Sequence, residues 1–242
     1  MKLAERIRQD PGFNVNEQDG KGWTLLHYAS GRSDIRSPVI PLLLAHPDIN
    51  VNVKTRGYGS TPFCYASGNG YTSCVREMLK DSRVKVNEPD YHGFTPLWFT
   101  SFNGHLDIIR WWIASGREMD LETLGNTDSD AIGIARMKRK TEVVALLERF
   151  KEKPEETRHQ VRVEIGWYDE LAEMFAVVVF VSDGLLEIKD TTPSLAARYF
   201  YIATHLPMEL QMMLCYRVVG SPKEIIAGKE SEVAFKELAR RL

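Results

Sequence analysis

One phrase recurs three times in the first half of the chain, and its recurrence restricts the possible folds more than any other feature. It reads DGKGWTLLHYAS from Asp19 to Ser30, RGYGSTPFCYASGNG from Arg56 to Gly70, and DYHGFTPLWFTSFNGH from Asp90 to His105. Its threonines, Thr24, Thr61 and Thr95, lie 37 and 34 residues apart. Self-similarity at such a period marks a stack of supersecondary units. Each is too small to bury its own apolar face and is completed by its neighbours.

The letters of the phrase have physical reasons. Asp90 and Gly93 bracket a turn in which Gly93 is free to take positive φ. Thr95 is placed to cap a first helix, and Pro96 falls at its first position, where a missing N–H costs nothing. Gly70 and Gly104 let the chain reverse into apolar second helices, Cys74 to Lys80 and Leu106 to Ile113. In the first unit the second helix is expected over Pro38 to His46. A second periodic mark follows these helices. The cassettes DPGFNVN, HPDINVN and DSRVKVN end at Asn16, Asn52 and Asn87, which are 36 and 35 residues apart. The first cassette precedes the first complete unit, so residues 1 to 16 read as the second helix of a truncated N-terminal cap. A fourth, degenerate unit is expected over Thr127 to Phe150. Ala131, Ile132 and Ala135 there fall 35 residues beyond Pro96, Leu97 and Thr100, and Val143, Val144, Leu146 and Leu147 supply the second helix. The segment Gly31 to Pro41 is longer than the other turns and reads as an irregular loop.

A T-P-L phrase with a following alanine, at a period of about 33 residues, resembles the ankyrin repeat, a β-turn followed by two antiparallel helices. The resemblance covers residues 1 to about 150. It implies a surface for binding another protein and implies no chemistry. Aligning the units puts Tyr28, Tyr65 and Phe99 at one position on the concave side of the first helices. Arg32, Asn69 and Asn103 share another position one turn later, and Lys21, Trp23, Tyr58, Tyr91 and His92 fall at the turn tips. In the ankyrin family these two places usually contact the partner. Large rings beside adaptable polar groups suit a binding hot spot, and rings at repeat spacing also suit stacking that supports the array. His105 occupies the family's Gly-His position and reads as a structural hydrogen-bonding residue, as does His27. Trp98 replaces a histidine at the site matching His27.

Beyond the repeats the grammar changes. The segment KEKPEETR (Lys151 to Arg158) closes the array, giving a repeat domain over 1–158 and a helical C-terminal domain over 159–242 that packs on it. VRVEI (Val161 to Ile165) alternates, as a short strand or an extended lead into a helix would. YDELAEMFAVVVFVSDGLLEI reads as a largely buried helix, and Ser-Pro and Pro signals start several more. The fold class is therefore all-α, a solenoid of ankyrin units followed by an α-helical domain. FVSDGLLEIK, ARYFYIA and LPMELQMMLCYRVVGS resemble a C-terminal extension found behind ankyrin repeats in predicted fungal and protist proteins. That resemblance extends the fold and leaves the function blank.

The formal net charge of −2 over 242 residues argues against broad electrostatic attachment to nucleic acid or anionic membrane. The basic run Arg136 to Lys140 reads as a solvated helix end. Three scattered cysteines, Cys64, Cys74 and Cys215, fit free thiols in a reducing compartment. MKLAERIRQD is no secretory signal, and the longest apolar stretch, Met174 to Val181, is too short to span a bilayer. A cytoplasmic or nuclear location is expected. No phosphate-binding glycine loop, Gly-x-Ser-x-Gly or His-Glu-x-x-His occurs. Asp169, Glu170 and Glu173, with Glu164 and His159 upstream, are the best candidates for a metal-dependent hydrolase or nuclease; an acidic first helical turn explains the same letters. Leu206 to Leu210 (LPMEL) resembles the opening of an F-box, as in ubiquitin-ligase adaptors, and equally suits a Pro-started amphipathic helix. The expectation is a non-catalytic, monomeric interaction module for an unidentified protein, without cofactor, metal, nucleic acid or membrane.

Overall fold

The computed structural model describes residues 13–31, 39–122 and 129–167. The N-terminal half-cap helix, Arg32 with most of its loop, and every helix expected from Tyr168 onward lie outside the described residues. So do the Asp169 cluster, the LPMEL helix and the extension-like phrases. The chain divides into two compact units, Met1–His159 and Gln160–Leu242.

Four helix pairs occupy the described part of the first unit. They are α1 (Leu25–Ser30) with α2 (Val39–Leu44), α3 (Pro62–Asn69) with α4 (Thr72–Leu79), α5 (Pro96–Asn103) with α6 (Leu106–Ser115), and α7 (Ala131–Met137) with α8 (Thr141–Glu152). The first helices α1, α3, α5 and α7 pack in succession as one row, and α2, α4, α6 and α8 form the other. Among the described residues every regular element is a helix.

Each pair starts by the same device. The hydroxyls of Thr24, Thr61 and Thr95 accept from the backbone N–H of His27, Cys64 and Trp98, three residues on. Pro62 and Pro96 follow at the first helical position. In the degenerate unit Asp130 takes the threonine's place, its Oδ1 accepting from Gly133 N at 2.6 Å. A carboxylate satisfies the same orphan donor and also favours the helix dipole, so the unit survives without the phrase. Gly70 and Gly104 end their helices at φ 83° and 80°. The equivalent residue of the fourth unit is Arg139, at φ 56°, the one non-glycine among the described residues with positive φ.

The core lies between the two rows. Leu26, Phe63, Leu97 and Ile132 from the first helices meet Ile40, Leu43, Val75, Met78, Ile109, Trp112, Ile113, Val143 and Leu147 from the second, all buried. Phe63 meets Trp112 edge to face at 5.1 Å. Burying each such side chain stabilises the stack by roughly 1.5–3 kcal/mol.

The unit-to-unit register is carried by side-chain amides. Asn16 accepts from Asn50 N at 2.7 Å and donates to Asp48 O at 2.7 Å. Asn52 accepts from Lys85 N and donates to Arg83 O, both at 2.8 Å. Asn87 repeats the clamp on Asp120 N and Glu118 O at 3.2 and 3.4 Å. Two arginines reach the opposite way. Arg83 donates to Leu44 O, and Arg117 donates to Asp81 O at 2.8 Å and to Val84 O. The cassettes have no ladder of their own, so these bonds satisfy backbone groups that helices leave unpaired.

One expectation fails. VRVEI is neither a strand nor an extended lead, because α9 runs from Pro154 to Glu164. Val161 and Ile165 are separated by four residues as well as alternating, and Pro154 with Glu155 and Glu156 opens the helix favourably. The segment Lys151 to Arg158 is accordingly helix on both sides of a break at Lys153.

Two outcomes follow for stability. Asn52→Ala removes both arms of the central clamp and should lower the unfolding free energy by about 1–2 kcal/mol in urea titration. An unchanged midpoint would refute the clamp. Arg139→Gly relieves the left-handed strain and should stabilise by about 0.5–1 kcal/mol; a lower melting temperature would show that the arginine side chain holds the loop.

Candidate protein-binding face

The turn tips are shaped by two aspartates whose carboxylates point inward. Asp19 accepts from Lys21 N at 2.8 Å and Trp23 N at 2.9 Å through Oδ1, and from the Tyr28 hydroxyl at 2.5 Å through Oδ2. The Tyr28 hydroxyl, then the Trp23 N–H, hold its carboxyl below the usual carboxylate range. Asp90 is buried and accepts from His92 N and Phe94 N at 2.9 Å each. Adjacent tips are joined through backbone, Arg56 N to Lys21 O and Tyr91 N to Tyr58 O, both at 2.9 Å. Gly59 sits beneath the Tyr91 ring, where a Cβ would come within 2.5 Å of a ring carbon. This close approach is what requires glycine there.

The tip side chains remain in solvent. Tyr58 is 71% exposed and Tyr91 60%, and Tyr28 on the first-helix row is 44% exposed. Lys21 and His92 are also exposed, with the His92 ring 6.2 Å from that of Tyr58.

The rings of the first-helix row fall into two clusters rather than one stripe. Trp23 lies 5.3 Å from Tyr28 and 4.7 Å, edge on, from Tyr65. Phe99 belongs with Phe94 at 5.7 Å and Trp98 at 5.3 Å. Tyr65 and Phe99 are half-buried against glycines of the preceding unit. A Cβ on Gly31 would lie 2.6 Å from the Tyr65 ring, and one on Gly68 would lie 3.2 Å from Phe99 Cβ. These two rings support the array. Asn69 and Asn103 are exposed, but their amides donate at 2.8 Å to Tyr65 O and Gly68 O.

The buried polar groups are structural. His27 Nδ1 accepts from Thr24 N at 3.2 Å, which leaves Nε2–H to donate to Ser60 O at 3.1 Å in the next unit. Burial holds its pKa below the usual histidine value. His105 Nε2 bonds Gly68 O at 3.1 Å. At the position matching His27, Trp98 leaves its buried Nε1 without a hydrogen-bond partner, so the inter-unit bond is lost there. Cys64 takes the same position in the second unit, and burial pushes its thiol up to about 12.

Two residues of this face carry no repeat signature. Met137 is 68% exposed. Lys138 occupies the register of Asn69 and Asn103, with its ammonium 4.4 Å above the Phe102 ring. Only the register of the degenerate unit points to them. Among the described residues no group of His, Cys, Asp and Glu could hold a metal ion. No described helix is long and apolar enough to cross a membrane.

A family model for ankyrin repeats matches residues 2–90 and 36–123, which together span half of the chain. The chain belongs to the ankyrin-repeat family. It is similar to alpha-latrotoxin-Lg1a of Latrodectus geometricus, 32% identical over 91 residues, 38% of this chain and 6% of the toxin. It is 32% identical to human Rabankyrin-5 over 103 residues, 43% of this chain and 9% of that protein. With the human SMC5-SMC6 complex localization factor protein 1 it shares 28% identity over 161 residues, 64% of this chain and 15% of that protein. The chain therefore spans a small part of each of these relatives' lengths.

Because His27 is held neutral, its contribution to stability is present above the unfolded value near 6.5 and is lost as pH falls through the lower folded value. The wild type should lose melting temperature between pH 7 and 5. His27→Gln should be less stable at pH 7.5 and show a shallower decline, by thermal denaturation. Equal slopes would show that His27 does not couple folding to pH.

Proposed function

We propose that the chain is a non-catalytic module that holds a protein partner against its turn tips and first-helix row, the concave face of an ankyrin stack. The observation that carries this reading is the exposure of Tyr28, Tyr58 and Tyr91 on that face. Large rings left in water on a scaffold fixed by inter-unit bonds suit anchors that bury on binding. Lys21, Trp23 and His92 flank them at the tips, while Asn69 and Asn103 add an adjustable polar edge beside Tyr65 and Phe99. Arg32 completes the set by register.

The setting is intracellular, cytoplasmic or nuclear, in keeping with the buried free thiols Cys64 and Cys74. The module is monomeric and needs no cofactor.

Affinity capture from the source cells with wild type and with Tyr28→Ala, Tyr58→Ala tests the reading. Tyr58 lies largely in solvent while Tyr28→Ala removes the hydroxyl bond to Asp19, so the double variant should stay folded with its melting temperature lowered by about 2–6 °C. Capture of the partner should fall by about tenfold or more. Equal capture by both would move the binding surface away from this face.

A further inference from the structure

The charge on this face is one-sided. The first helices α1, α3, α5 and α7 contain no aspartate or glutamate. The described acids that lie within the helix pairs, Glu77, Asp107, Glu142, Glu148 and Glu152, are all on the second helices. At the tips, Asp19 and Asp90 are turned into their own turns. Glu88 is paired with Lys54 at 2.8 Å, and among the described tip residues Glu17 is exposed with no ion pair. The cations remain outward. Lys21 and Arg56 are exposed at adjacent tips, Arg56 reaching only the Gly20 carbonyl at 3.4 Å. Lys138 and Arg139 are exposed at the last unit, beside Arg136, which is paired with Glu148.

The same face holds most of the exposed apolar surface. Of the five large hydrophobic side chains left exposed among the described residues, four are here, namely Tyr28, Tyr58, Tyr91 and Met137; Val163 is elsewhere. A surface that is cationic and aromatic, with its described carboxylates other than Glu17 internally consumed, complements a ligand that is anionic and apolar at once.

We infer that the partner presents an acidic segment, with Asp or Glu side chains interspersed with aromatic or aliphatic anchors. The apolar side chains seat among Tyr28, Tyr58 and Tyr91, and the carboxylates face Lys21, Arg56 and Lys138. The observations favour a protein over a nucleic acid. A polyphosphate backbone requires a continuous track of cations, whereas Lys21 and Arg56 stand at one end of the stack, Lys138 and Arg139 at the other, and the chain's net charge is −2. The inference rests on the proposed binding face and specifies the chemistry of its occupant.

The test uses the full chain. Phage-displayed random peptides are selected on it, and the enriched peptides and a glutamate–tyrosine copolymer are measured by fluorescence polarisation. Two variants are compared with wild type, Lys21→Glu/Arg56→Glu/Lys138→Glu and Tyr28→Ala/Tyr58→Ala. The inference expects enriched peptides to be rich in Asp and Glu beside apolar residues, and to bind the charge-reversed variant about tenfold more weakly. It also expects affinity to fall as salt rises. Should charge reversal unfold the chain, the triple glutamine variant replaces it. Enriched peptides with no acidic excess, indifferent to charge reversal but lost with the tyrosines, would overturn the acidic partner and leave the face intact. Peptides that bind both variants like wild type would overturn the face as well. A labelled oligothymidylate that binds more tightly than any peptide, and is lost on charge reversal, would reassign the cations to nucleic acid. Absence of both peptide enrichment and copolymer binding would also overturn the inference.

Discussion

The architecture depends on polar side chains that reach one unit ahead. Helix pairs of this size cannot persist alone, and the segments between them have no ladder in which to bury their amides. Asn16, Asn52 and Asn87 solve both problems at once, because each fixes one N–H and one C=O of the next cassette. His27 holds one C=O of the next unit from inside the helix row, and backbone bonds tie the tips at the outer edge. Apolar burial supplies most of the stabilisation, but it is non-directional. The amides and the histidine choose which of the possible slidings of one unit on the next is the native one.

Against that register the rings and glycines of the first-helix row exchange volume between neighbours. Gly31 receives Tyr65, and Gly68 receives Phe99. In the next step the pattern inverts, because Phe102 stands at the glycine position and the smaller, buried Ile134 at the ring position. Close packing tolerates such exchanges when the summed volume is kept. This separates two roles that look alike in an alignment. Tyr65 and Phe99 recur at repeat spacing because the stack needs them, whereas Tyr28, Tyr58 and Tyr91 keep much of their surface in water.

Most of the described fold was legible from a few letters, since threonine, proline and glycine each impose a local backbone geometry that spacing then multiplies. The fourth unit was legible only through register, and its substitutes were not: Asp130 for the capping threonine, Arg139 for the left-handed glycine. The asparagines were visible as punctuation, but their partners, 31 to 34 residues away, depend on how units stack and not on any local pattern. VRVEI misled because one spacing satisfied two periods, and its helical alternative was decided by the proline and acids upstream. Of the candidate site, the positions followed from the repeat. Which rings stay largely in water and which are half-buried in the stack depends on how the units pack.

Most described polar groups of this face are committed to holding the fold, the basis on which we propose recognition for it. A catalytic site keeps a base, an acid or a nucleophile unspent and pointed at open space. Here the buried histidine holds two neighbours, Asp19 and Asp90 close their own turns, and the capping hydroxyls of Thr24, Thr61 and Thr95 hold helix starts. Among the described residues of this face, what is left exposed is mostly apolar area and positive charge, with His92 and Glu17 beside them. Such a surface gains free energy by being covered: the rings by losing water, and the cations by meeting carboxylates as water leaves. Because the scaffold beneath is fixed by inter-unit bonds, little of that gain is lost to ordering the proposed binding face itself.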